Sequence, residues 1–233
     1  MSACTVDLRP GLPWLGVKAV LFDLDGTLVD SAPDLAGALN EMRLARHMAP
    51  LPLTALRPMV GAGARGMLSV GLSVSPQDSN FEALRVEFLD RYQARLTQET
   101  ALFDQVNELL QSLSAAGLAW GVVTNKAERF ALPLTEALGL KQGALAVVGG
   151  DSTPHAKPHP APLLEAARRG GIATDACIYV GDDERDIVAG RAAGMRTVAA
   201  AWGYLGQGDP VDAWNADIVL NSPIELLQVL GLA

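Results

Sequence analysis

Val17-Lys18-Ala19-Val20-Leu21-Phe22-Asp23-Leu24-Asp25-Gly26-Thr27 runs from an apolar stretch straight into two carboxylates and a glycine. A short apolar run bounded by turn residues reads as a strand buried on both faces, the kind that builds parallel sheets. In an open parallel sheet, ligands bind outside the carboxyl ends of the strands, so Asp23 and Asp25 stand where chemistry is done. Strand side chains at i and i+2 share a face. The two carboxylates therefore converge if the strand stays extended through Asp25, and diverge modestly if it turns at Gly26. Asp-Gly is also a common turn dipeptide, and a solvated loop end is the simpler reading of the pair. The full pattern D-x-D-G-T is far rarer by composition than that dipeptide, which favours the functional reading.

Working outward, Leu118 to Val123, Ala144 to Val148, Ala176 to Val180 and Thr197 to Ala201 are further short apolar runs, with Ala216 to Leu220 as a last edge strand. Helical spacing marks Val106 to Ala116, Glu128 to Leu138, Ala161 to Arg169 and Asp183 to Ala193, each stopped by a glycine, and Ile224 to Leu230 closes the chain. Strands alternating with helices predict an α/β fold with a doubly wound, Rossmann-like parallel sheet. Residues 34–101 break the alternation. Leu35, Leu39 and Met42 mark one amphipathic helix, and Leu84, Phe88, Tyr92 and Leu96 a longer one, with no strand between. This predicts a core of residues 1–33 and 102–233 with a small helical cap, 34–101, inserted after the first strand as a lid.

The chain has 233 residues, 49% of them hydrophobic, enough for a substantial core. Its net charge of −8 leaves no excess of cations to neutralise phosphates, which argues against a nucleic-acid partner. No apolar run reaches the ~20 residues that span a bilayer, and the start lacks a signal-peptide pattern, so a cytoplasmic location is expected. Cys4 and Cys177 make neither a disulfide framework nor a metal cluster, and Cys177 reads as a small core residue. His47, His155 and His159 are not at metal-ligand spacing and read as surface residues. The segment up to Trp14 precedes the first strand and reads as a loosely attached end. Oligomeric state has no readable signal.

Gly61-Ala62-Gly63-Ala64-Arg65-Gly66 satisfies G-x-G-x-x-G, but the dinucleotide fingerprint needs a preceding strand, and Thr54 to Val60 looks helical. A lid turn whose amides face an anion fits better, with Arg65 either reaching a substrate carboxylate or phosphate or simply solvated.

Hydrolysis of a phosphomonoester needs a nucleophile, an acid for the leaving oxygen and positive charge for the phosphoryl oxygens. Asp23 is the candidate nucleophile and Asp25 the candidate acid/base. Free aspartate titrates near ~3.9, so Asp25 must be shifted up to hold a proton, as a neighbouring carboxylate would do. Thr124 and Asn125 follow the second strand, as phosphate donors or as ordinary helix caps. Lys157, fixed by Pro158, offers the cation, unless it is a solvated lysine. After the fourth strand, Asp182 is placed for Mg²⁺ beside Asp23, while Asp183 and Glu184 suit a helix start.

In order along the chain, Asp23-x-Asp25-Gly26-Thr27, Thr124, Lys157-Pro158 and Gly181-Asp182-x-x-x-Asp186 resemble all four motifs of the haloacid dehalogenase superfamily, and the helical insert resembles its small cap. The resemblance implies Asp23 as nucleophile and Mg²⁺ ligand, Asp25 as acid/base whose main-chain carbonyl also binds metal, Thr124 and Lys157 as phosphate ligands, and Asp182 as the remaining metal ligand. Asp183 and Asp186 would stand behind these. A serine often follows the fourth-motif aspartate in these phosphatases, where this chain has Asp183. Dehalogenases proper lack the second aspartate of the first motif, so Asp25 points to phosphate chemistry. Asp23 to Ser31, Gly63-Ala64-Arg65 and Trp202-Gly203-Tyr204 resemble the phosphoglycolate phosphatase branch. Phe81 to Tyr92 and Trp120 to Lys126 also resemble N-acetylmuramic acid 6-phosphate phosphatases. The implied activity is Mg²⁺-dependent hydrolysis of a small phosphorylated metabolite. A β-phosphoglucomutase-like mutase and a noncatalytic binding module are the other readings.

Overall fold

The structure is a computed structural model that describes residues 13–232. Along the chain, β1 (Ala19–Phe22) and a two-residue strand β2 (Val29–Asp30) precede four helices, α1 (Ala32–Leu44), α2 (Leu53–Leu56), α3 (Gly63–Leu72) and α4 (Phe81–Ala94). After β3 (Ala101–Leu102) come α5 (Val106–Ala115), β4 (Ala119–Val123), α6 (Glu128–Ala137), β5 (Val147–Val148) and α7 (Ala161–Gly170). The chain ends with β6 (Cys177–Gly181), α8 (Glu184–Ala192), β7 (Arg196–Ala200), β8 (Ile218–Leu220) and α9 (Glu225–Val229).

Six strands form one parallel sheet in the order β5-β4-β1-β6-β7-β8. The expected doubly wound α/β fold is therefore present. Alternation along β1 builds its two faces. Val20 and Phe22 join a large cluster with Leu109, Leu113, Phe130 and Leu226, while Ala19 and Leu21 join Leu163, Ala166 and Ala189 on the other face. Every residue of β1 is buried, because helices cover the sheet on both sides. The chain order reverses between β1 and β6, so the crevice at their carboxyl ends is the topological switch point.

The helical segment leaves and rejoins the core through an antiparallel β2–β3 pair that the period-2 signal was too short to reveal. Asp34, fully buried, ties the two ends together: one carboxylate oxygen accepts from Glu99 N (3.0 Å), Thr100 N (2.8 Å) and Thr100 Oγ1 (2.7 Å), and the other pairs with Arg95. α1 begins at Ala32, two residues before the expected start of the insert, on a Pro in its first turn. β5 is shorter than Ala144 to Val148 because it is an edge strand with one neighbour, although Leu145 N still donates to Trp120 O at 2.7 Å. Trp14 is not loosely attached. Its N–H donates to Val229 O at 2.8 Å and its indole lies under Arg196. Cys177 is buried and free, while Cys4 lies outside the described residues. Among the described residues no helix is long and apolar enough to cross a membrane.

Candidate active site

β1 stops at Phe22, and Asp23 N still donates to Val180 O (2.9 Å), which holds Asp23 against the end of β6. The chain then turns tightly, with Leu28 N and Val29 N both donating to Leu24 O. Gly26 sits in this turn at φ +86°, where a Cβ would lie 2.1 Å from Asp182 Oδ2. Only glycine permits that close approach of the first and fourth strand ends.

The two aspartates of the turn face different cations. Asp23 Oδ1 accepts from Leu24 N (2.7 Å) and pairs with Lys157 Nζ (2.9 Å), and its other oxygen accepts no hydrogen bond among the described residues. Asp25 pairs with Lys126 Nζ through both oxygens (2.9 and 3.0 Å) and accepts from Ser31 Oγ. The neighbour expected to keep Asp25 protonated was a carboxylate. The groups against it are a lysine and a hydroxyl, because Asp23 turns toward Lys157.

Lys157 is buried between Asp23 and Asp186 (2.7 Å) and also meets Tyr179 Oη (2.8 Å) and Val123 O (3.1 Å). Burial disfavours its charge, but attraction to Asp186 and Asp23 outweighs this and raises its pKa. It is not a solvated lysine. Its loop is clamped by Asn125, whose amide donates to Lys157 O and accepts from Lys157 N, each at 2.9 Å. Asn125 thus positions Lys157 with one of its two amide protons while still lining the cavity. Thr124 Oγ1 accepts from Lys126 N (3.1 Å), which leaves its own proton to donate, and neither residue caps α6, whose N-cap is Ala127.

After β6, Asp182 is buried, accepting from Thr27 Oγ1 (2.9 Å) and Tyr204 N (2.8 Å). Asp183, at the cavity wall, serves as the N-cap of α8, with Asp186 completing a capping box, and its carboxylate is gripped by Arg185. Burial opposes its charge, but Arg185 holds Asp183 below the usual carboxylate range. That arrangement separates the adjacent aspartates into a structural Asp183 and an inward-facing Asp182. Trp202 Nε1 donates to Thr27 O (3.0 Å), and Tyr204 Oη accepts from Ser31 N (2.8 Å), so the loop after β7 buttresses the whole turn.

These groups line a cavity of about 550 Å³, closed on the opposite side by Leu35, Val60, Gly61, Phe88 and Tyr92 of the helical segment. Gly63 and Ala64 line it, whereas Arg65 is exposed and is not among the lining residues. A short 3₁₀ helix, Arg57–Ala62, precedes Gly63, so the glycine-rich turn lacks the strand that dinucleotide binding needs. Arg185 bridges the two halves by donating to Gly61 O (2.6 Å).

The model of the family described as haloacid dehalogenase-like hydrolase matches residues 20–200. The chain belongs to that family. It is 50% identical over 210 residues to a phosphoglycolate phosphatase of Xanthomonas campestris pv. campestris, covering 90% of this chain and 94% of that one. It is also 42% identical over 217 residues to an N-acetylmuramic acid 6-phosphate phosphatase of Pseudomonas aeruginosa, covering 93% and 96%. Its fold is similar to the crystal structure of a predicted phosphoglycolate phosphatase from Haemophilus somnus 129PT, with a TM-score of 0.81, 28% identity and coverage of 92% and 98%. The chain is a phosphoric monoester hydrolase.

Hydrolases of this family generally use a divalent metal, and the charges here suit one. Asp23, Asp182 and Asp186 each offer an oxygen within 4.8 Å of the others. Lys157 pairs with two of these three carboxylates, Asp182 has no cation on it among the described residues, and all the donors are hard oxygens. Burial, and then the charges of Asp23 and Asp186, push Asp182 well above the usual carboxylate range. Burial lifts Asp186 to about 7 against the pull of Lys157, with Asp23 adding to the rise. Asp186, expected to stand behind the ligands, is itself part of this cluster. In the metal-free protein these raised values mean that the folded state holds protons the unfolded chain releases, so both groups cost stability as pH rises above the usual carboxylate range, Asp186 through about 7. A divalent cation displaces those protons. The gain in melting temperature on adding one is therefore expected to grow between about pH 5 and about pH 8. A gain independent of pH overturns the assignment of the cation to these carboxylates.

Lys126, Ser31 and Tyr179 are site residues that sequence reasoning missed. Lys126 follows Thr124-Asn125 directly, and its place three residues past a strand end was the available signal. Tyr179 had none, since a strand tyrosine reads as core.

Proposed function

We propose that this chain is a Mg²⁺-dependent phosphatase that hydrolyses 2-phosphoglycolate to glycolate and phosphate, with residues 34–101 acting as its cap. The observation that carries the chemistry is the open oxygen of Asp23 at the strand switch point, with Lys157 on its other oxygen and Asp25 two residues on. The 50% identity to a phosphoglycolate phosphatase supports the substrate.

Asp23 attacks phosphorus and forms an aspartyl-phosphate while the ester oxygen departs. Lys157 and the Thr124 hydroxyl hold the phosphoryl oxygens as charge builds on them. Asp25 protonates the leaving oxygen and then takes a proton from the water that cleaves the acyl-phosphate. Asp23, Asp182 and the main-chain carbonyl of Asp25 would hold Mg²⁺, with Asp186 behind or among them. Bound there, the ion shields the dianionic phosphate from the carboxylates around it. The helical segment closes the cavity and excludes bulk water.

A second reading, N-acetylmuramic acid 6-phosphate, is favoured by the cavity volume of about 550 Å³, of which a two-carbon acid fills a small part. The deciding measurement is kcat/KM for both compounds in the same Mg²⁺ buffer, with β-glucose 1-phosphate as control for a mutase. A hundredfold preference for 2-phosphoglycolate, ~2.7 kcal/mol of differential transition-state binding, is the expected result. The same preference for the sugar overturns it.

A further inference from the structure

Two hydrogen-bond donors in the cavity wall have no role in the reaction above. Lys126 is held between β4 and α6 with its side chain 8% exposed. Its ammonium has three donors, and the two oxygens of Asp25 engage two of them. The ammonium also lies 4.7 Å from the ring centroid of Tyr92, on α4 of the helical segment. Tyr92 is 1% exposed, packs on Phe130 with centroids 5.5 Å apart, and its hydroxyl, beside the Lys126 ammonium, donates its own proton to no acceptor among the described residues. A buried hydroxyl whose proton has no acceptor is unfavourable and calls for an explanation. Tyr92 and Lys126 both line the cavity that holds Asp23 and Asp25.

Three of the other cations of that cavity are held in ion pairs, and Arg129 makes none with Asp25 among the described residues. Arg85 pairs with Glu82, Arg185 grips Asp183 and Gly61 O, Arg129 stacks on Phe130, and Lys157 serves Asp23 and Asp186. Lys126 is the cation next to the acid/base, and Tyr92 is the neutral donor beside it.

We propose that Lys126 and Tyr92 form a subsite for a carboxylate carried by the leaving alcohol, on the carbon next to the ester oxygen. The inference rests on the phosphatase reading and deepens it. Asp25 must reach the leaving oxygen, and Lys126 touches both oxygens of Asp25, so a group that Lys126 also reaches must be attached close to that oxygen. A carboxylate accepts from the ammonium and the phenol together, and both bonds are charge-assisted. A hydroxyl at the same position satisfies Tyr92 without matching the charge of Lys126. The substrate class is therefore α-phosphoryloxy carboxylates, with neutral alkyl phosphates as poor substrates. Because Tyr92 comes from the helical segment and Lys126 from the core, the carboxylate also bridges the two halves of the closed site.

The test compares 2-phosphoglycolate with 2-hydroxyethyl phosphate, which replaces the carboxylate by a neutral CH₂OH, and with p-nitrophenyl phosphate, whose leaving group needs no proton. Steady-state kcat/KM is measured with Mg²⁺ for the parent, Tyr92→Phe and Lys126→Met. The parent is expected to prefer 2-phosphoglycolate over 2-hydroxyethyl phosphate by about a hundredfold or more. Tyr92→Phe should cut that ratio about tenfold, and Lys126→Met should remove most of it, even where both rates fall because Asp25 has lost its partner. Tyr92→Phe removes no bond that the phenol donates among the described residues and keeps the ring in place, so its fold is retained even where Lys126→Met fails to fold. A ratio unchanged in Tyr92→Phe, or equal losses on every substrate, overturns the subsite and marks the pair as structural. Turnover of p-nitrophenyl phosphate without any preference for the carboxylate substrate overturns the subsite and leaves the phosphatase reading standing. Inactivity of the parent on all three compounds overturns both.

Discussion

Asp23→Asn is expected to lower kcat by at least ~10⁴-fold while the protein remains folded. An amide oxygen still accepts from Leu24 N and Lys157, so the local hydrogen bonds survive the change. What disappears is the anionic oxygen that attacks phosphorus, and an amide does not replace it. The substitution also removes one of three converging carboxylates, which lessens their repulsion in the metal-free protein. The variant should therefore melt no lower than the parent, so lost turnover cannot be blamed on lost structure. Mass spectrometry of acid-quenched reactions supplies the second readout: a phosphorylated peptide containing residue 23 in the parent and none in the variant. Turnover within tenfold of the parent, or an adduct on another residue, removes Asp23 from the mechanism.

Lys157→Met should damage both activity and stability, because one buried ammonium serves both. It neutralises Asp23 and Asp186 in the free protein and would face the phosphoryl oxygens during reaction. Removing one partner of a buried ion pair costs about 3–5 kcal/mol, since the carboxylates left behind have no counter-charge. For a chain of this size that is a fall in melting temperature of about 10 °C. Mg²⁺ should restore part of the fall, because the orphaned carboxylates are the ones assigned to the ion, while kcat/KM stays down by about 10³-fold. Full recovery of kcat/KM with Mg²⁺ would reduce Lys157 to a structural counter-ion. An unchanged melting temperature would contradict its buried pairing.

Asp23-Leu24-Asp25-Gly26-Thr27 and the strand before it could be read correctly because their message is local. A short apolar run followed by polar residues marks a strand end wherever it lies in the sheet. The same holds for Thr124, Asp182 and the glycine stops of the helices, and three such strand ends in one parallel sheet must open on one side. Asp183 likewise declared itself as a helix-starting acid, since capping involves residues two and three positions away. Fold class and the side of the sheet on which the candidate groups gather were thus determined by the sequence alone.

The pairings were decided by tertiary structure. Lys126 meets Asp25 across 101 positions, and Trp202 holds the Asp23–Thr27 turn across 175. Asn125 was read as a strand-end amide, and the fold brought it 32 positions along to the Lys157 backbone. Arg65 sits beside the lining residues Gly63 and Ala64 but is exposed outside the cavity, a difference set by how α3 rotates rather than by its neighbours in sequence. Tyr92 was read as one more apolar position of an amphipathic helix. Its hydroxyl, whose proton has no acceptor among the described residues, became visible only when α4 was packed over Phe130 and Lys126. Periodicity states which face of an element is buried, because burial depends on local spacing. Which group of the opposing element meets that face depends on the rigid-body placement of the two, and hydrogen bonds and ion pairs, being short-ranged, depend on that placement to within an ångström.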